Sequence, residues 1–380
     1  MGICGQKAVD DNASARGMAK FVPCAALCLR WLSLLPFAAL FQPIAPEQGI
    51  PNMSDLSRWV AAQLGVEPAA IALVPVSGDA GFRRYYRLRR NGNSYVVMDA
   101  SADRSGCEPF VRIDRLLAAA GLPVPLLHAV DLECGWLLLS DLGERTLLER
   151  IAAGDLGERD IDALYEGAIA ALVTLQQIAC PPDLPRYDEA LLRRELALFP
   201  DWYLQRERGI ALAPRRRKLL DEAFDLLVAK ALAQPTVLVH RDYMPRNLMV
   251  PIGAGELPGL LDFQDAVCGP IAYDPICLFK DAFLSWPEPR VVAWLTRYWQ
   301  RGRAAGLPLP ASFDAFYADC DFIGAQRHLK VIGIFARLRH RDGKPKYLED
   351  APRFFNYLRG ACARRAELAP LGELLAELAP

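Results

Sequence analysis

The string His240-Arg241-Asp242-Tyr243-Met244-Pro245-Arg246-Asn247, followed fifteen residues after the asparagine by Asp262-Phe263-Gln264-Asp265, carries the side chains that phosphoryl transfer needs. That reaction asks for an in-line acceptor, metal ions to neutralise a triphosphate, and a carboxylate to take the acceptor's proton. Asp242 follows the apolar run Thr236 to Val239, where a short strand would deliver its carboxylate to a site edge as the base. Asn247, five positions on, offers a neutral amide oxygen that holds Mg2+ without adding negative charge. Asp262 ends a second apolar run, Gly259 to Leu261, and is the anionic oxygen ligand that would bridge Mg2+ to phosphate. Any one of these carboxylates alone reads more readily as a turn residue or a helix cap than as a catalyst. HxDxxxxN and DFxD in this order, each behind a β-like run, point jointly to catalysis. His240 reads as packing under the turn rather than as a proton carrier.

The elements that must position these loops follow from patterning. From Met53 a short helix runs to Leu64, and β-rich runs follow at Ile71 to Val76, Arg83 to Leu88 and Ser94 to Met98. Asn91-Gly92 between the last two is a hairpin signal. A helix is expected from Pro109 to Ala120, closed by Gly121, then strands at Val124 to Ala129 and Trp136 to Ser140. Beyond that, Ile161, Leu164, Ala168, Leu172, Leu175 and Ile178 recur at helical spacing and predict a long core helix. Arg215 to Leu232, Arg290 to Arg303, Phe313 to Arg337 and Pro352 to Leu368 also read as helices. No internal repeat is present.

The segment from Met53 onward resembles the aminoglycoside phosphotransferase and choline kinase superfamily, and LLDFQDAVCGPIAYDPICL carries the likeness with HRDYMPRNLM. The resemblance implies an α+β, two-lobed protein-kinase-like fold. Its nucleotide-binding small lobe, with a five-stranded antiparallel sheet and one helix, would span 53–140, and a mainly helical large lobe would span 141–380. It implies ATP and Mg2+ as cofactors, and it makes Asp274 a brace for the catalytic loop, with a helix N-cap as the alternative. Ser77-Gly78-Asp79-Ala80-Gly81 would cover the triphosphate, with Ser77, Gly78 and Gly81 near phosphate oxygens. Ser140-Asp141-Leu142-Gly143 would be the hinge, Ser140 and Leu142 meeting the adenine.

One expectation of the resemblance fails in the sequence itself. The third strand reads Tyr95-Val96-Val97-Met98-Asp99, without the lysine that grips phosphate, and no lysine occurs between Lys20 and Lys218. Arg83, Arg84 or Arg87 could supply that charge, since a guanidinium binds phosphate bidentately. Glu108 could pair with such an arginine, but reads better as a favourable first-turn charge.

More narrowly, HRDYMPRNLM, LFKDAFLSWPE and QRHLKVIGIFARL resemble the amino-sugar kinases of cell-wall recycling, which phosphorylate N-acetylmuramate and N-acetylglucosamine at C1. The resemblance points to Lys280, Gln326, Arg327 and His328 as acceptor residues, alongside Asp281 and Lys330. Other readings remain: a kinase for an aminoglycoside, choline or similar acceptor, or a nucleotide-binding pseudokinase. A cationic acceptor would want an acidic pocket, which the late helices do not offer.

Composition narrows the partners. The chain has 380 residues, 52 % of them hydrophobic, and 44 Lys plus Arg against 45 Asp plus Glu, a net charge of −1. That balance gives no electrostatic reason to expect nucleic acid. Ten cysteines scattered without a CxxC pair read as free thiols in a reducing compartment, which suits the cytoplasm and a monomer or weak oligomer acting on a small sugar. Phe21 to Phe41 is apolar apart from Arg30 and Ser33, but Arg30 and two prolines oppose a membrane span. Residues 1–52 are therefore expected to be a disordered extension or a misassigned start, with Met53 opening the enzyme and no membrane partner.

Overall fold

The computed structural model describes residues 53–76, 83–251, 253 and 255–378. The reading of 1–52 and the glycine turn with Ser77, Gly78 and Gly81 lie outside them. Helix α1 (Met53–Leu64) precedes an antiparallel sheet of β1 (Val74–Val76), β2 (Arg84–Arg90), β3 (Asn93–Asp99), β4 (Leu127–Asp131) and β5 (Trp136–Ser140), in the order β1-β2-β3-β5-β4. Helix α2 (Cys107–Ala119) lies between β3 and β4 in sequence. Asn91 and Gly92 both take positive φ, 49° and 79°, as a two-residue hairpin loop requires, and set the register Arg90↔Asn93.

Alternation along the strands gives the sheet two apolar faces. Leu88, Val97, Trp136 and Leu138 pack with Leu56 and Val60 of α1. Met98, Leu137 and Leu139 point the other way and join Phe110, Ile113 and Leu117 of α2 in the main core. The first strand is shorter than its apolar run suggested, because Pro68–Ala70 forms a 3-10 turn that delays entry to the sheet.

The rest is mainly helical: α3 (Leu147–Ala152), α4 (Glu158–Gln176), α5 (Glu189–Leu196), a π-helical segment (Phe199–Glu207), α6 (Pro214–Leu232), α7 (Tyr273–Phe279), α8 (Glu288–Ala304), α9 (Phe313–Asp342), α10 (Ala351–Arg364) and α11 (Ala369–Leu378). Helix α4 is the core helix that periodicity predicted, yet Tyr165, rather than Ile161 or Leu164, is its most enclosed large residue. Its ring stacks on Trp294 of α8 at 4.0 Å. The expected helix Pro352 to Leu368 breaks at Arg365, whose φ of −119° and ψ of 112° are extended.

The thirty-residue α9 packs against α5, α6, α7, α10 and the π-helical segment. Gly333 permits that approach, since a Cβ there would stand 2.4 Å from the carbonyl carbon of Leu198. Two short ladders hold the loops that carry Asp242 and Asp262: β6 (Thr236–Val239) pairs with β9 (Val267–Pro270), and β7 (Leu248–Met249) with β8 (Gly259–Leu260). Seven cysteines among the described residues are free thiols. No described helix is long and apolar enough to cross a membrane.

Candidate active site

Pairing of β7 with β8 brings the segment after β6 alongside the one after β8, and Leu261 N–H donates to Asn247 O at 2.9 Å. Both segments contain a non-glycine residue in the left-handed region, Arg241 at φ 75° and Asp262 at φ 61°. Such conformations persist only where the surroundings fix them. For Arg241 the fixing is visible. Its guanidinium pairs with Glu195 at 2.6 Å, its N–H donates to Asp274 at 3.0 Å, and its carbonyl accepts from Cys277 Sγ at 3.2 Å.

Asp274, wholly buried in the first turn of α7, accepts from the backbone N–H of His240 at 2.7 Å as well as that of Arg241. Its hydrogen bonds thus run to the catalytic loop, and the residue at the helix N-cap is Ala272. Burial pushes the Asp274 pKa up to about 7 against the pull of those two N–H groups. His240 is buried, edge-on to Tyr243 with ring centroids 5.6 Å apart, and burial lowers its pKa.

A cleft of about 1270 Å³ opens over these loops, lined by Asp242, Asn247 and Asp262 together with Arg83, Ser140, Leu142 and Arg327. Asp242 is half-buried at its floor. Loss of solvent raises its pKa and the charge of Asp262 adds to that, while Lys330, Arg327 and His240 oppose. Asn247 commits its amide nitrogen to Asp242 O at 2.9 Å, which turns its oxygen to other partners. One anionic oxygen from Asp262 and one neutral oxygen from Asn247 fit a Mg2+ ion that draws its remaining ligands from phosphate and water.

The three arginines that could replace the strand lysine separate clearly. Arg84 pairs with Asp99 at 2.8 Å, and Arg87 binds Asp141 at 2.7 Å and Gly143 O at 2.8 Å. Arg83 instead lies over Gly106 at the start of α2, where a Cβ would come 2.3 Å from its Nη2. Glu108 is exposed in the first turn of α2, as the helix-terminus reading expects.

The acceptor residues divide. Arg327 lines the cleft, whereas Lys280, Gln326 and His328 do not. Lys280 is buried on Glu288 at 2.9 Å, Gln326 donates to Glu195 at 3.3 Å, and the His328 ring packs on Tyr357 at 5.1 Å. Neighbours along a helix point to different sides, so a motif spanning 326–328 cannot place all three in one pocket. Periodicity along α9 singles out the cleft-lining set better: Arg327, Lys330, Val331, Ile334, Phe335 and Leu338 recur at three and four.

Sequence reasoning missed Glu195 altogether. Its carboxylate gathers Arg241, Lys330 at 2.8 Å, Gln326 and the Tyr187 hydroxyl beneath the catalytic loop. It lies 46 residues before Arg241 with no motif to mark it; only the fold joins them.

Relatives agree with this geometry. A kinase described as N-acetylmuramate/N-acetylglucosamine kinase from Pseudomonas putida is 52 % identical over 342 residues, 88 % of this chain and 98 % of the relative. One of the same description from Pseudomonas aeruginosa is 55 % identical over 320 residues, 84 % of this chain and 92 % of the relative. The fold matches the crystal structure of an ADP-bound aminoglycoside phosphotransferase with a TM-score of 0.56 at 16 % identity, over 79 % of this chain and 97 % of the other. Residues 72–316, which carry both catalytic loops and most of the sheet, match the Phosphotransferase enzyme family, and with relatives this similar over nearly their whole length the chain belongs to that family.

Proposed function

We propose that this enzyme uses MgATP to phosphorylate the anomeric C1 hydroxyl of N-acetylmuramate and N-acetylglucosamine, salvaging cell-wall sugars in the cytoplasm. The observation that carries the chemistry is the presence of Asp242, Asn247 and Asp262, from two ladder-joined loops, on one cleft that Arg83 and Arg327 also line. The sugars come from the relatives, which bear those acceptors in their descriptions and are more than half identical to this chain.

In this reading Asp242 orients the C1 hydroxyl and takes its proton as the oxygen attacks, a role its raised pKa suits. Asn247 and Asp262 hold the metal, and Mg2+, when bound, neutralises the charge that develops on the phosphates. Arg83 binds phosphate in place of the strand lysine, and Ser77, Gly78 and Gly81 serve the same triphosphate. The adenine rests against Ser140 and Leu142, at the junction between a small lobe of 53–140 and a large lobe of 141–380. His240 and Asp274 keep the loop in shape. Cationic acceptors such as aminoglycosides or choline are disfavoured by Arg327 and Lys330 beside Asp242. A pseudokinase is disfavoured by the intact trio on the cleft wall.

The test is ATP consumption over a panel of sugars, aminoglycosides and choline, with the phosphorylated position assigned by NMR. Turnover of both amino sugars at C1 is expected. Phosphorylation at another hydroxyl, or turnover only with a cationic acceptor, would remove the assignment.

A further inference from the structure

We propose that Arg327 is the acceptor-selectivity residue, its guanidinium receiving a carboxylate on the amino sugar and so distinguishing the lactyl-bearing N-acetylmuramate from N-acetylglucosamine. This rests on the kinase reading above and assigns the acceptor half of its site.

Arg327 is 2 % exposed, yet its side chain lines the cleft. Among the described residues no carboxylate lies within ion-pairing distance of it, and the hydrogen bond it makes, to Lys280 O, is long at 3.5 Å. A guanidinium presents five N–H donors in a fixed fork, and burying one without a matching anion is unfavourable. Two cations close to it are differently placed. Lys330, one turn further along α9, is held by Glu195 at 2.8 Å and the Tyr273 hydroxyl at 3.0 Å, and Arg241 by Glu195 at 2.6 Å.

Three carboxylates are near enough for charge to act between them and Arg327: Asp242, Asp274 and Asp281. None serves as its fork partner, and Asp274 is taken by the N–H groups of His240 and Arg241. Asp281 accepts instead from the N–H groups of Ala282 at 2.5 Å and Leu284 at 3.3 Å in its own turn. Asp242 faces the acceptor hydroxyl in the proposed mechanism. The geometry therefore leaves a forked cation beside the base with no carboxylate of its own in ion-pairing distance.

The lactyl ether of N-acetylmuramate is borne on C3, one ring carbon removed from C1, so a carboxylate bound at Arg327 keeps the C1 hydroxyl on the Asp242 side. Farther along α9, Val331 and Ile334 continue the same wall as an apolar strip. That strip suits the ring face and the acetamido methyl, which both acceptors share, so discrimination falls to the cation.

The experiment compares kcat/KM for N-acetylmuramate, its lactyl amide and N-acetylglucosamine in the wild type, Arg327→Met and Arg327→Lys. In the wild type the acid should exceed its own amide by roughly ten- to a hundredfold, the worth of a charge-assisted fork. Arg327→Met should bring that ratio close to one, and Arg327→Lys should give an intermediate ratio. A wild type indifferent to acid against amide overturns the proposal, whatever the variants do. So does an unchanged ratio in Arg327→Met, or an equal loss on all three acceptors, which would assign the guanidinium to the transferring phosphoryl group. Should Arg327→Met not fold, Arg327→Lys gives the same reading: a reduced acid preference supports the assignment and an unaltered one sinks it. Turnover of neither sugar by the wild type defeats the kinase reading and takes this inference with it; turnover of both with no acid preference defeats this inference alone.

Discussion

Asp242 and Asp262 sense each other's charge across the two loops, and the mechanism asks opposite things of them. In the proposed mechanism the first accepts a proton from a hydroxyl, and the second stays an anion against a cation. Replacing Asp242 by Ala is expected to lower kcat by about two to four orders of magnitude while nucleotide binding, read by fluorescence titration, stays near the wild type. Near-normal turnover would remove the residue from that role. Asp262→Asn keeps the shape and removes the charge, so the Mg2+ concentration for half-maximal rate should rise by roughly ten- to a hundredfold. An unaltered Mg2+ dependence would exclude it as a ligand. Both residues were legible in the sequence because a loop motif fixes them locally, by spacing along a few residues. Glu195 was not, because its partners Arg241, Lys330 and Tyr187 are brought to it by three different elements.

Elements were legible in proportion to their length. The long α4 declared itself by periodicity and α6, α8 and α9 also read as helices, whereas the six residues of α3 and the eight of α5 are too short to establish a period. The π-helical turn at Phe199–Glu207 follows no template of period 3.6 and was unreadable for that reason. Helix α2 holds a feature that its pattern does not explain. Asp114 sits on the buried face between Ile113 and Leu117, 3 % exposed, with no hydrogen-bond partner for Oδ2 among the described residues. Burial pushes its pKa up to about 7, opposed only by Arg115. The folded state then binds this proton more tightly than the unfolded chain does. The contribution is favourable below the unfolded pKa and is lost as pH rises towards 7. Asp114→Asn removes the titration. Its stability relative to the wild type, from urea unfolding, should rise by about 2–4 kcal/mol between pH of about 4 and 8. Parallel stability curves for the two proteins would show that Asp114 stays ionised in the fold.

At the scale of the molecule, the chain passes from the sheet to the helices through Asp141, and this residue is where the two parts are tied. Its carboxylate takes Arg87 of β2 at 2.7 and 3.1 Å, Ser94 of β3 at 2.6 Å and the N–H of Gly143 at 3.1 Å. Arg87 continues to Gly143 O at 2.8 Å, so two strands and the crossover segment share one polar knot. Burial works to raise the Asp141 pKa, but the hydrogen bonds from Arg87 and Ser94 outweigh it and hold the carboxyl below its ordinary range. A depressed pKa means the knot's contribution is present above the unfolded value and fades as pH falls through the folded one. Asp141→Ala leaves Arg87, only 21 % exposed along its side chain, without its anion, and should cost about 2–4 kcal/mol at neutral pH. That deficit should shrink on acidification below a pH of about 4, where the unfolded carboxyl takes up its proton, and be lost as pH falls through the lower folded pKa. Because Ser140 and Leu142 flank the knot, line the cleft and are the residues proposed to meet the adenine, KM for ATP should rise more than KM for the sugar. Equal changes in both constants, or a deficit that persists in acid, would mean that Asp141 supports packing in general and does not set the nucleotide edge of the cleft.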